Sequence, residues 1–124
     1  MASIQLTEAT FLEQANKDGI TIVDFWAEWC GPCRQFGPVF EKASETYPEI
    51  TFGKVDTEAE QSLAAQAGIS SIPTLMVFRD GVLLYNRAGA LPAPAFDELI
   101  TAVKGLNMDE IRAEIAAGEE KPQN

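Results

Sequence analysis

The chain of 124 residues is 46% hydrophobic and 23% charged, which fits one globular domain able to bury a core of its own. Its 9 basic and 19 acidic residues give a net charge of −10, which argues against nucleic acid or anionic membrane surfaces as partners and favours solubility. Two cysteines cannot build a disulfide framework, and with no histidine the chain has too few soft ligands for a zinc site, so no metal is expected.

Met1 to Leu6 hold no basic segment and no apolar run follows them, so a cytoplasmic location is expected, with neither signal peptide nor membrane span. Thr7 or Thr10 is placed to cap a first helix carrying Phe11, Leu12 and Ala15, which Lys17-Asp18-Gly19 ends. Thr21 to Trp26 is β-branched and aromatic and reads as a buried strand. Past Cys33, the helical spacing of Phe36, Val39, Phe40 and Ala43 predicts a helix to about Tyr47, kinked by Pro38 and stopped by Pro48. Thr51 to Val55 reads as a second buried strand, followed by a helix bearing Leu63, Ala64 and Ala67 that ends at Gly68.

Thr74 to Phe78 and Val82 to Tyr85 flank Arg79-Asp80-Gly81, a hairpin signal because Asp-Gly accepts the positive φ of a tight turn. Pro92 to Val103 predicts a helix with Phe96, Leu99, Ile100 and Val103 on one face. Strands and helices alternate first, then a hairpin and a helix follow. That order implies an α/β fold, with a central mixed β-sheet flanked by helices on both faces. Beyond Gly105, Met108, Ile111 and Ile115 line one side of a short acidic helix before Gly118 and a polar tail.

The chemistry concentrates in Trp29-Cys30-Gly31-Pro32-Cys33, where the cysteines stand three positions apart between a strand and a helix. Such a pair opens and closes as a local disulfide. Gly31 permits a tight backbone and Pro32 tolerates an early helical position. A loop this short constrains little of the unfolded chain, which speaks against a merely structural staple. Cys30, at the first helical turn, is the candidate nucleophile, because free N–H groups there favour the thiolate. Cys33, further inside, would resolve the mixed disulfide. Asp24 lies between Val23 and Phe25, where ionisation is costly; a raised pKa makes it a candidate acceptor for the Cys33 proton. Trp29 reads as an exposed apolar platform and Trp26 as core.

Asp24-Phe25-Trp26-Ala27-Glu28-Trp29-Cys30-Gly31-Pro32-Cys33, then Pro38, Lys54-Val55-Asp56, Gly68-Ile69, Ile72-Pro73-Thr74, Asp80-Gly81 and Gly89-Ala90 follow one another in an order and spacing that resemble the thioredoxin family. The resemblance ends near Gly105, which divides the chain into a thioredoxin domain, 1–105, and a C-terminal extension, 106–124. It implies the thioredoxin fold and a general protein dithiol–disulfide oxidoreductase, with Gly31 and Pro32 tuning the redox pair. It implies that Asp24 acts on the resolving cysteine with Lys54 nearby; the alternative is that Asp24 and Lys54 form a buried polar pair that serves the fold alone. Pro73 looks like the family's cis-proline, and Ile72, Pro73, Gly89 and Ala90 would complete, with Trp29, a shallow substrate groove around Cys30. The implied partners are disulfide-containing proteins and an NADPH-dependent thioredoxin reductase, with the chain a monomer that holds no cofactor. Ser71 stands where many relatives carry glycine and Arg34 where lysine is frequent, which leaves substrate preference open. An oxidant or isomerase is a weaker reading, since relatives with those tasks commonly carry histidine between the cysteines. A non-redox binding module is the other alternative.

Overall fold

The computed structural model describes residues 2–120, and the tail read as polar beyond them lies outside the described residues. At the centre is β2 (Ile20–Trp26), whose interior residues are all buried. β3 (Thr51–Asp56) runs parallel to it on one side, and β4 (Thr74–Arg79) antiparallel on the other. β1 (Ile4–Gln5) adds in parallel to β3, and β5 (Val82–Ala88) pairs antiparallel with β4, giving the order β1-β3-β2-β4-β5. The mixed sheet expected from the element order is present. β1 was not anticipated, because two exposed residues carry no alternating pattern. Its place is set next door, where Gly53 leaves the room that Leu6 fills.

Alternation along the strands sends apolar side chains to two cores. Val23, Phe25, Val55 and Met76 meet α1 (Phe11–Asn16) and α3 (Gln61–Gln66), through Phe11, Ala15 and Leu63. Ile22, Phe52, Leu75 and Val77 meet α2 (Gly31–Thr46) and α4 (Ala93–Lys104), where Phe36, Phe40, Phe52 and Phe96 interlock at centroid distances of 5.3–6.4 Å. Edge-to-face and offset aromatic pairs of this kind add to the gain from area burial.

Local chemistry explains where the element bounds differ from expectation. Thr10 makes no side-chain cap to α1; the N–H of Thr7 donates to Thr10 Oγ1 instead, closing the preceding turn at 2.9 Å. Phe11 and Ala15, one helical row, face the core, so Leu12 points to solvent and is 66% exposed. α2 runs through Pro38 and ends at Thr46, one residue before Pro48's neighbour. Ala67 caps α3, and Gly68 follows at φ 73°, with the Ile69 N–H returning to the Ala64 carbonyl. β5 extends past Tyr85 through the polar Asn86 and Arg87 to Ala88, exposed edge positions that resemble loop in sequence. Asp80 and Gly81 take φ of 53° and 81°, the double positive of a tight hairpin turn.

α5 (Met108–Glu120) continues through Gly118, where the sequence reading ended it. Nothing crowds Gly118, and a solvent-facing glycine weakens a helix by only about 1 kcal/mol without breaking it. Asn107 starts the helix, its Oδ1 accepting the N–H groups of Asp109 and Glu110. Met108 is buried, and Arg79 Nη1 donates to the carbonyls of Val103, Lys104 and Leu106 at 2.7, 3.2 and 3.0 Å. The extension is thereby docked beside the β4–β5 turn. No helix among the described residues is long and apolar enough to cross a membrane.

Candidate active site

β2 delivers the chain to the site, and the turn after it places Cys30 as the N-cap of α2 in an extended conformation (φ −87°, ψ 115°). Gly31 and Pro32 occupy the first helical positions, where a missing N–H costs nothing. Cys30 Sγ accepts the N–H of Cys33 at 3.2 Å, a sulfur in the usual role of a capping oxygen. The same contact favours negative charge on that sulfur once the disulfide opens. Cys30 and Cys33 are joined as a disulfide, with Cα atoms 5.2 Å apart. The two are equally buried, contrary to the expectation that Cys33 is the more shielded. They differ in surroundings instead, since Cys30 Sγ lies 3.6 Å from the Ile72 carbonyl oxygen.

Ile72 and Pro73 are joined by a cis peptide bond. The neighbouring carbonyls are engaged, Ser71's by Thr74 Oγ1 at 2.6 Å and Pro73's by the Gly89 N–H at 2.8 Å. Trp29 stands 67% exposed, while Trp26 packs against Cys30 and Cys33. On one side of Trp29 a recess is lined by Thr57, Ile69, Ser70, Ser71 and Ile72. A second recess that Trp29 also borders is lined by Glu28, Arg34, Asp56 and Glu58. Gly89 is therefore tied to Pro73, whereas Ala90 lines a separate recess with Gln35, Phe36 and Val39.

Asp24 shares the α2 face of β2 with Ile22 and Trp26, and Lys54 is its register partner on β3. It is 1% exposed, and neither carboxyl oxygen has a hydrogen-bond partner. Burial pushes its pKa from 3.8 up to about 7, against a lowering by Lys54 and with a further raise from Glu41. The Lys54 ammonium sits 4.7 Å over the Trp26 ring, and among the described residues no ion pair joins it to Asp24. Its charge acts on Asp24 through space.

The family profile described as Thioredoxin matches residues 2–105. The chain belongs to the thioredoxin family. A Streptomyces coelicolor protein named "Putative thioredoxin 2" is 49% identical over 115 residues, covering 93% of this chain and 86% of that protein. Thioredoxin 1 of Synechococcus elongatus is 44% identical over 89 residues, 70% of this chain and 83% of that one. Among solved structures, the Malassezia sympodialis thioredoxin superposes with a TM-score of 0.72 at 32% identity, over 81% of this chain and 89% of its own. As a thioredoxin-family member the protein is a thiol–disulfide oxidoreductase, and Cys30–Cys33 is its redox-active pair. Its partners in general terms are disulfide-containing substrates and a thioredoxin reductase.

Two features of this site escape a reading of the sequence, and a third was readable but not read. Thr57, Ile69 and Ser70 reach the recess beside Trp29 only through tertiary packing. Nothing marks Ser3 as a partner for α2, yet its hydroxyl donates to Glu41 Oε1. Glu41 itself had a signal: Cys33, Gly37 and Glu41 follow one i+4 row, so a carboxylate lies two turns below the cysteine.

Proposed function

We propose that this thioredoxin-family protein is a general reductase of protein disulfides in which the two cysteines have fixed and different roles. The Cys30 thiolate attacks a substrate sulfur, forming the mixed disulfide and releasing the first substrate thiolate. Cys33 then loses its proton and attacks Cys30 Sγ. That step closes the Cys30–Cys33 disulfide and releases the second substrate thiolate, so two electrons pass to the substrate. Asp24 accepts the Cys33 proton, with Lys54 supporting the charge, while Gly31 and Pro32 tune the pair through the backbone they impose. Trp29, Ile72, Pro73 and Gly89 form the substrate groove, which Ala90 extends from its adjoining recess, and an extended chain pairs there with backbone groups beside Pro73. The observation that carries this reading is the Cys33 N–H donating to Cys30 Sγ at the N-cap of α2, because it singles out Cys30 as the sulfur whose anion the helix favours.

In this reading residues 1–105 do all the chemistry as a monomer, 106–124 are an accessory extension, and an NADPH-dependent thioredoxin reductase restores the dithiol. A cytoplasmic site of action suits a chain whose only cysteines are this redox pair. The test is insulin reduction driven by dithiothreitol and then by a reductase with NADPH, together with capture by single-cysteine variants. Cys33→Ser is expected to hold substrates as mixed disulfides, whereas Cys30→Ser captures few. Comparable capture by both variants removes the assignment of Cys30. Full function in the double Cys30→Ser, Cys33→Ser variant points to the non-redox binding module instead.

A further inference from the structure

We propose that Glu41 is a positioning residue for the resolving step, setting how readily Asp24 takes the proton from Cys33. The inference rests on the reading of Asp24 as that acceptor and adds to it a residue on a different element. Glu41 follows Cys33 and Gly37 along one row of α2, the helix that covers the face of the sheet where Asp24 and Lys54 lie side by side. Its two oxygens are held unequally. Oε1 accepts the hydroxyl of Ser3, just before β1, while Oε2 is buried with no partner. A side chain free to choose would turn both oxygens to water, since an unpartnered buried carboxylate oxygen is costly. The Ser3 contact thus pins a negative group against the buried side of the sheet.

The consequence falls on Asp24. The titratable groups bearing on it are Lys54 from β3 and Glu41 from α2; β4 sets the apolar Leu75 opposite, and Cys30 and Cys33 are uncharged as a disulfide. Lys54 favours the carboxylate and Glu41 the acid, so the two act in opposite senses on one buried group. With Lys54 alone, Asp24 would stay ionised to lower pH and be a weaker base for a thiol proton. Burial is the main cause of the raised basicity of Asp24, and Glu41 offsets part of the opposing Lys54 effect, keeping the group nearer neutral pH, where base strength and ionised fraction are best matched.

The test uses the full-length oxidised protein, in which neither sulfur titrates, and follows the Asp24 carboxyl by 13C NMR between pH 5 and 9. Glu41→Gln, which keeps size and hydrogen-bonding reach, is expected to lower the Asp24 midpoint, by about half a pH unit. Ser3→Ala is expected to lower it less, and Glu41→Asp to retain most of the wild-type value. The pH profile for resolving a preformed mixed disulfide, by stopped flow, should move to lower pH with the midpoint. An Asp24 midpoint unchanged in Glu41→Gln overturns the inference. A resolution rate already unaffected by Asp24→Asn overturns instead the reading on which it rests.

Discussion

Asp24 and Arg79 stand on adjacent central strands of one sheet, yet the protein surrounds them in opposite ways. Around Asp24, near the Cys30 end of β2, both carboxyl oxygens, Trp26 Nε1 and Glu41 Oε2 are buried without partners. Around Arg79, beside Ile20 at the other end, the guanidinium serves three carbonyls, and Asp80 Oδ1 and the Gly19 carbonyl each bind an N–H of the other residue. Unsatisfied polar groups oppose folding, and satisfied ones favour it. The contrast separates two demands: the redox end keeps a carboxyl poised to change protonation, and the far end supplies stability that tolerates it.

The largest test of that contrast is Asp24→Asn. The native pKa of about 7 lies above 3.8, so between those values the native state binds more protons than the unfolded state and stability falls as pH rises. Below about pH 4 the carboxyl is neutral in both states and the variant gains little. Above pH 7 the full difference applies, roughly 4 kcal/mol at most for the rise from 3.8 to about 7. Urea melts from pH 4 to 9 should show Asp24→Asn gaining stability over this window and levelling off. Resolution of the mixed disulfide should slow in the same variant. Equal stability of the two proteins at pH 8 would contradict the account of Asp24 as a strained acid.

Arg79→Met makes the opposite test, keeping the aliphatic stem while removing the charged donor from three carbonyls. Hydrogen bonds from charged groups contribute about 1.5–3 kcal/mol each, but one guanidinium nitrogen shared among three acceptors does not give three such terms. A loss of about 2 kcal/mol is expected, with insulin turnover unchanged because the site is at the other end. A melt shifted by less than about 0.5 kcal/mol would mean that water replaces the arginine without cost.

Truncation after Lys104 removes one of those acceptors, the Leu106 carbonyl, together with the buried Met108 and the rest of α5. Burial of a methionine contributes about 1.5–3 kcal/mol, and the truncated chain should lose about that much while keeping its fold and most of its insulin-reducing activity. Because both changes act on Arg79, they should not add when combined. A truncated protein that folds normally but has lost turnover would make the extension part of the catalytic apparatus.

How much of this was legible in the sequence follows the same division. The strands with β-branched runs, the Asp80-Gly81 turn and the apolar rows of α2 and α4 are local patterns, and the structure has them where the residues indicated. Cys30, Cys33, Ile72 and Pro73 were legible through a specific motif, and they meet at one place. What could not be read was long-range satisfaction. Arg79 in a hairpin looks like a turn cation, and only the fold brings the end of α4 to it. Ser3 and Glu41 lie 38 residues apart, with no shared pattern to join them. Asp24 could be read as buried, but the position of Lys54 over Trp26 depends on side-chain packing that no strand pattern encodes.

The smallest effect separates the docking of α5 from its charge. Arg112 Nη1 lies 3.8 Å from Asp80 Oδ2, and Nη2 donates to Asp109 at 2.8 Å, with the arginine side chain 49% exposed. Such a pair gains little in high dielectric, holds a long side chain in one geometry and is screened by salt. Asp80 has a stronger engagement of its own, because Oδ1 accepts the Gly19 N–H at 2.8 Å whatever Arg112 does. Arg112→Ala is therefore expected to cost about 0.5 kcal/mol or less, and the cost should shrink further in 1 M salt. Asp80→Ala should cost more, since it also frees the Gly19 N–H and places alanine at a φ of 53° that favours Asn, Asp or Gly. Melts of both variants at low and high salt check the order. An Arg112→Ala loss that equals the truncation and persists in salt would mean that α5 is held by this ion pair rather than by Met108 and Arg79.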